Sequence, residues 1–288
     1  MQDNLYHYDG FADGVTGFDS VTETEIKNFM EYGYIIVHEA FSAEQINGAI
    51  DGLVDMLAVR DPVVDLAHKP NNNPYKGGAG RLEVRLEPSV NRGDLKGMAP
   101  RDQLDYVRKL MWIVGHDQRL EALSSDPKMN RVVGKIIGED PLLMQDMALL
   151  KPPRIGREKP WHQDHAYFDI HLDTPVVGVW IALDRATIEN GCMIIKPGSN
   201  QLGPVVHFQR RDWQICDTHI DSHGSLATPL EPGGCMIFSS LLQHGTAPNA
   251  SDQRRRALQF HYMPAGTRFI TPEDRMDVFG DEGKDVSC

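Results

Sequence analysis

The sequence is short of cysteine, of long apolar runs and of positive charge, and each shortage removes a class of protein. Four cysteines occur in 288 residues, Cys192, Cys216, Cys235 and Cys288, with no CxxC pair. They suggest no disulfide framework, and reduced thiols are expected. The longest apolar run, Val176 to Leu183, is eight residues, far below the roughly 20 needed to cross a bilayer. The first twenty residues hold Asp3, Asp9, Asp13 and Asp19 but no Lys or Arg. That is not the pattern of an export signal, so a cytoplasmic location with no membrane association is the expectation. Lys and Arg number 29 against 41 Asp and Glu, a formal net charge of −12. Binding to phosphate backbones needs clustered cations, so nucleic acid is not an expected partner.

What is present suits a globular chain: 41% of residues are hydrophobic and 24% charged, enough to bury a sizeable core. One domain over residues 1–288 is expected, with a helical part over about 20–138, a β-rich core over about 141–263 and a short C-terminal tail. Thr22 with Glu25 reads as a capping box, and Ile26, Phe29 and Met30 give one apolar stripe before Gly33. Tyr34 to Val37 reads as a strand. Ser42 with Gln45 repeats the capping signal, and Ile46, Ala49, Ile50, Leu53, Val54 and Leu57 recur at helical spacing. Arg60 to Gly80, rich in Asn, Pro and Gly, reads as a loop. Helical spacing returns at Arg101 to Val114, through Leu104, Val107, Leu110, Met111 and Val114, and at Asp126 to Ile137, which Gly138 closes.

From Pro141 onward, short apolar runs are separated by Pro, Gly, Asn and Asp. The expected strands are Leu142 to Leu150, Trp161 to Ile170, Val176 to Leu183, Cys192 to Ile195, Cys235 to Ser239 and Arg255 to Tyr262. The fold class expected is α+β, mainly β: a jelly roll with helices packed on one sheet.

In Trp161-His162-Gln163-Asp164 an imidazole and a carboxylate sit two residues apart, and on a strand both point to one face. His244, after the apolar strand Met236-Ile237-Phe238, is the best candidate for a third ligand. Two histidines and one carboxylate on one face of an octahedron leave positions open for oxygen and an organic chelator, the arrangement of non-haem Fe(II) oxygenases. Arg255 follows eleven residues later and shares a strand face with Ala257, Gln259 and His261. Its fork of donors suits the far carboxylate of a dicarboxylate ligand. A His-x-Asp triplet alone is a weak signal that a structural hydrogen-bonded pair would also produce; the ordered set with His244 and Arg255 gives it weight.

With these motifs the chain resembles the phytanoyl-CoA dioxygenase family of Fe(II)/2-oxoglutarate oxygenases. The resemblance runs over roughly residues 22–263 and includes Val179-Trp180-Ile181-Ala182-Leu183, Glu189-Asn190-Gly191-Cys192, Lys196-Pro197-Gly198-Ser199 and His244-Gly245. It implies a double-stranded β-helix, or cupin-like, core. It also implies iron held by His162, Asp164 and His244, and 2-oxoglutarate paired with Arg255. Gln145, Trp180 and Thr246 fall where members place further co-substrate contacts. The implied activity is a dioxygenase that hydroxylates a small-molecule metabolite with O2, releasing succinate and CO2. Asp164 matters here, because related halogenases carry a small residue at that position. Two departures stand out: Asn200 where members often have His, and Gly233-Gly234 where they have Gly-Asp.

Other readings stay open on the residues alone. An oxygen-independent cupin-like metal enzyme would share the ligands without needing Arg255, and a non-catalytic jelly-roll binding protein would need neither. Trp180 suits the core as well as a co-substrate, and Gln145 could merely satisfy a buried polar group. His219-Ile220-Asp221-Ser222-His223 is read as surface loop rather than a zinc site. Arg81 and Arg85 suit either an anionic ligand or a solvated edge. His165 and His171 receive no role, and Arg60 to Gly80 and Val205 to Thr228 are the variable loops in which the resemblance places substrate specificity.

Overall fold

A computed structural model describes residues 5–58 and 82–288; Arg81 and the loop read at Arg60 to Gly80 lie outside them. Local signals are obeyed closely. The Thr22–Glu25 capping box forms in full and starts α1 (Glu23–Tyr32), which stops where Gly33 turns left-handed at φ 85°, a cap worth about 1 kcal/mol. Ser42 and Gln45 exchange backbone N–H bonds at 3.2 and 2.9 Å ahead of α2 (Ala43–Ala58). The remaining helices are α3 (Pro100–Gln103), α4 (Gln118–Ser124), α5 (Pro127–Ile137) and α6 (Pro272–Phe279). Gly138 caps α5 at φ 90°.

Among the described residues the strands preceding residue 141 are β1 (Gly10–Phe11), β2 (Gly14–Thr16), β3 (Tyr34–His38), β4 (Glu83–Leu86) and β5 (Val107–Met111). Those after it are β6 (Leu142–Lys151), β7 (Lys159–His162), β8 (Val177–Ala182), β9 (Met193–Ile195), β10 (His207–Gln209), β11 (Trp213–Ile215), β12 (Leu226–Thr228), β13 (Cys235–Ser239), β14 (His244–Thr246) and β15 (Arg255–Met263). A large sheet runs β2-β3-β13-β8-β15-β6-β5-β4 and a small one β1-β12-β9-β14-β7, while β10 and β11 form a separate hairpin. This is the cupin-like jelly roll expected of the chain.

Strand alternation sorts the core into two layers. Val179 and Ile181 of β8 and Leu258 and Phe260 of β15 face the helices, meeting Ile26, Phe29, Leu53, Leu120, Val132 and Val133. Trp180, Ala182 and Ala257, one residue out of phase, face the small sheet and meet Trp161, Met193, Ile195 and Leu242. The large sheet is thus buried on both faces, which is why its central strands read as unbroken apolar runs.

Two expectations are corrected. The helix read at Arg101 to Val114 is one turn, α3, followed by a 3-10 turn and the strand β5. Lys109 pairs with Arg85 but Val107 with Leu86, so β5 carries an extra residue at Arg108. That bulge brings Val107 and Leu110 onto one face against the helices. Apolar residues three apart on a bulged strand imitate a helical period. The N-terminal half therefore supplies four strands, β2 to β5, to the large sheet in addition to helices α1 to α5.

Nor are all the cysteines reduced. Cys216 and Cys288 form a disulfide across 72 residues of separation, with Cα atoms 5.4 Å apart; Cys192 and Cys235 are free and buried. The pairing arises because α6 folds back: Arg275 binds Asp169 at 2.8 Å and the Ala166 carbonyl at 2.9 Å, and Phe279 packs beside His165 and His207. The chain end then reaches the 205–228 segment. No helix of the described residues is long and apolar enough to cross a membrane.

Candidate metal centre

The strand β7 ends at His162. The run read as one strand to Ile170 breaks because Asp164 opens a 3-10 turn, Asp164–Tyr167. Gln163 between them is still extended (φ −113°, ψ 131°), so His162 and Asp164 reach the same side. The Gln163 side chain turns away and is tied down by the carbonyls of Gly203 (2.9 Å) and Leu241 (2.7 Å) and by the N–H of Val205 (2.8 Å). This buried amide is what holds the turn.

His244 begins β14 and lies directly across from His162 in the antiparallel β7–β14 pair, with ring centroids 4.2 Å apart. Their Nδ1 atoms sit 2.8 and 2.9 Å from the carbonyls of Pro160 and Leu242. Those acceptors place the proton on Nδ1 and leave each Nε2 lone pair directed inward. Asp164 Oδ1 lies 3.3 Å from His162 Nε2 and 3.8 Å from His244 Nε2. Among the described residues, the His, Cys, Asp and Glu group whose ligand atoms converge, within 4.8 Å of one another, is His162, Asp164 and His244.

The electrostatics favour the binding-competent forms. Burial and the neighbouring His162 push His244 down to about 3, so it is neutral at ordinary pH. Burial alone would raise the Asp164 carboxyl, but His244, His261 and the hydrogen bonds of His162 and His261 hold it well below the usual range. A site of two imidazoles and one carboxylate fits a divalent metal.

Arg255 opens β15 and is buried, its guanidinium 5.5 Å from the centroid of the Trp180 ring. Its Nε has no hydrogen-bond partner, and its Nη1 has only the Leu149 carbonyl at 3.5 Å. Burial lowers its pKa to about 10, so it stays charged, and among the described residues no carboxylate is paired with it. Such a group is costly without an anionic ligand. Lys151, directly across from Arg255, instead bonds the carbonyls of Thr246 and Ala247, and the buried Thr246 Oγ1 is left unpartnered. Trp180 pairs in register with Gln259, and Gln145, half-buried, stands opposite His261. Alternation sends the flanking arginines the other way, onto Asp105 (Arg254, 2.5 Å) and Asp184 (Arg256, 2.7 Å).

Two residues beside the candidate ligands were missed. Asp164 Oδ2 is held by Gln259 Nε2 at 3.0 Å and His261 Nε2 at 2.9 Å. The signal was available, since both share the Arg255 face of the strand. His165 is structural, bound to Ser240 Oγ and the Ile170 carbonyl, and His171 sits in a turn with Asp173. His219 and His223 are exposed. The two departures stay in turns: Asn200 bonds the Met30 carbonyl at 3.3 Å, and Gly233 adopts φ 88°, where a Cβ would lie 2.3 Å from the Phe41 carbonyl oxygen.

A two-histidine, one-carboxylate centre between the sheets of a jelly roll, backed by a buried arginine, is the frame of a metal-dependent oxygenase. The chain belongs to the phytanoyl-CoA dioxygenase family, whose model (PhyH) matches residues 29–257, and it is an enzyme of that dioxygenase class. Phytanoyl-CoA dioxygenase domain-containing protein 1 of Danio rerio is 23% identical over 277 residues, covering 89% of this chain and 94% of that protein. Among solved structures, EctD from S. alaskensis with 2-oxoglutarate and 5-hydroxyectoine has a TM-score of 0.65 at 20% identity, over 98% of this chain and 86% of that one. EvdO2 from Micromonospora carbonacea var. aurantiaca has a TM-score of 0.60 at 22% identity, over 90% and 97%.

Proposed function

We propose that the protein is a 2-oxoglutarate-dependent hydroxylase of a small molecule, with Fe(II) held by His162, Asp164 and His244. The observation that carries this reading is the pairing of a converging His-Asp-His set with a buried guanidinium at Arg255 that no carboxylate bonds among the described residues. An oxygen-independent cupin-type enzyme or a simple binding protein would have no use for the second feature. Iron, when bound with 2-oxoglutarate, supplies oxygen activation: one oxygen atom enters succinate as CO2 leaves, and the other is inserted into a substrate C–H bond.

The chain's own residues do the rest. His162 and His244 present neutral Nε2 atoms because their Nδ1 protons are committed to backbone carbonyls. Asp164 is kept ionised and oriented by Gln259 and His261. Arg255 would pair with the distal carboxylate of 2-oxoglutarate, with Thr246 Oγ1 as a further donor and Trp180 and Gln145 as neighbours on the same wall. Trp180, Phe238 and Ala257, all buried, keep water from this wall.

The test is anaerobic addition of Fe(II) and then 2-oxoglutarate. A visible metal-to-ligand charge-transfer band should appear, and admitting oxygen with a screen of metabolites should release succinate. Absence of both would sink the proposal. Asp164→Ala should abolish the turnover.

A further inference from the structure

The Ala166 carbonyl lies in the turn that carries Asp164 and accepts from two elements remote in sequence: Trp213 Nε1 of β11 at 3.2 Å and Arg275 Nη1 of α6 at 2.9 Å. Each element holds this neighbourhood by further contacts. From the β10–β11 hairpin, His207 Nε2 accepts the Gln163 N–H at 3.0 Å and the Trp213 carbonyl accepts the Tyr167 hydroxyl at 2.6 Å. Asp212, at its turn, pairs with Lys159 at 2.8 Å. From α6, Arg275 also binds Asp169, and Phe279 packs against His165 and His207. Hairpin and helix therefore grip the same turn. They are also joined covalently, because Cys216 directly follows β11 and its disulfide partner, Cys288, lies on the tail that leaves α6.

The two cysteines of that bond stand in different surroundings. Cys216 is buried and Cys288 is exposed, and exposed disulfides are the ones open to exchange with outside thiols. The exposed Arg210 donates to the Cys288 carbonyl, which sets a cation beside the cysteine that an incoming thiolate would reach. On the other side, Thr218 Oγ1 lies 3.2 Å from Cys216 Sγ. A disulfide sulfur has no proton to give, so the hydroxyl is the donor, and a donor at that sulfur stabilises the thiolate left when the bond breaks. Asp217, next in the chain, is paired with Arg211 at 2.5 Å, which offsets the charge it would set against that thiolate.

We propose that Cys216–Cys288 is a thiol–disulfide exchange site for a dithiol that attacks at Cys288, and that its redox state sets how firmly the hairpin and α6 hold the turn carrying Asp164. A thiolate of the dithiol bonds to Cys288 Sγ, the S–S bond breaks, and its electron pair leaves on Cys216 Sγ, which takes a proton from water. The second thiol loses its proton to solvent and attacks the mixed disulfide, releasing Cys288 as a thiolate. One dithiol is oxidised to its disulfide and the protein disulfide is reduced, two electrons in all. With the bond open, hairpin and helix keep only their separate contacts to the turn. The exchange site stands on the disulfide and its surroundings; only its effect on iron rests on the functional reading above.

The experiment equilibrates the folded, full-chain apoprotein with graded mixtures of reduced and oxidised dithiothreitol, and reads thiol alkylation at Cys216 and Cys288 together with amide hydrogen exchange. Both cysteines should become alkylated without denaturant, and exchange over residues 163–169 and 207–216 should quicken at least about fivefold on reduction. Cys288→Ser should reproduce the reduced pattern without reductant; where that variant folds poorly, wild-type protein reduced and alkylated in the native state serves instead. A disulfide that dithiothreitol opens only in denaturant would overturn the proposal, as would reduction that leaves exchange over 163–169 unchanged. In a second arm, protein reduced, freed of dithiol and loaded anaerobically with Fe(II) and 2-oxoglutarate should lose iron to a bipyridine chelator at least about fivefold faster than the oxidised form, with reoxidation restoring the slower rate. Equal rates in the two forms would overturn the link to the metal turn. A charge-transfer band missing in both redox states, with redox-dependent amide exchange intact, would count against the iron reading and leave the exchange site supported.

Discussion

His261 Nε2 lies 2.9 Å from Asp164 Oδ2, on the side of the carboxylate away from the two ligand imidazoles, whose Nε2 atoms face Oδ1. One oxygen is thereby anchored and the other presented. Partners of this kind typically contribute 10- to 100-fold, roughly, to metal affinity. His261→Ala should weaken Fe(II) binding by about that factor while leaving the fold intact, read from the iron concentration needed to develop the charge-transfer band. Unaltered iron binding would show that Gln259 alone orients Asp164.

Arg255 should trade stability against function. Among the described residues no carboxylate bonds its buried guanidinium, and replacing such a charge by an apolar group of similar length is often neutral or stabilising. Arg255→Met is therefore expected to keep or raise the melting temperature of the apoprotein. The same change should raise the KM for 2-oxoglutarate at least about 30-fold, the low end of truncating one partner of a buried charge pair. A variant with reduced stability and unchanged KM would contradict both halves.

Acid should loosen the apoprotein well before its carboxylates protonate. His207 is pushed down to about 3 by burial; its Nε2 accepts the Gln163 N–H at 3.0 Å and its Nδ1 faces the Val205 carbonyl at 2.8 Å. Unfolded histidine titrates near 6.5, so between about 6.5 and 3 the unfolded chain binds the proton that the folded chain refuses. Stability falls as pH drops through that window. Urea midpoints at pH 7, 5.5 and 4 should decline steadily, and the decline should be shallower in His207→Gln.

Reduction of the Cys216–Cys288 bond should free the end of the chain. It ties α6 and the terminal residues to the segment that carries β10 and β11, and closing a loop of 72 residues contributes about 2–4 kcal/mol. Cys288→Ser is expected to lower the melting temperature and to expose residues beyond Met263 to limited proteolysis. Identical melting with and without reductant would show that Arg275 and Phe279 suffice to hold α6.

Packing of Trp180 is the remaining measure of the wall between the sheets. Fully buried and stacked near Arg255, it should cost about 3–5 kcal/mol on truncation to Ala. Trp180→Phe, which keeps most of the volume, should recover the greater part of the stability. Recovery of stability with an elevated KM for 2-oxoglutarate would assign Trp180 to the co-substrate as well as to the core.

The amino-acid sequence by itself determined what a few neighbouring residues can decide. The Thr22–Glu25 and Ser42–Gln45 caps, the stops at Gly33 and Gly138, and the alternation that separates Arg255, Gln259 and His261 from Arg254 and Arg256 are all set within one turn or one strand. Tertiary structure decided what depends on register between distant segments. His244 stands opposite His162 only because β14 pairs with β7. Val107 and Leu110 lie on one face only because β5 bulges against β4, where a helix had the same spacing. Cys288 meets Cys216 only because α6 folds back onto Asp169. In each case the partner lies tens of residues away, and the pairing is chosen by the burial and hydrogen bonding of the whole sheet rather than by any local preference.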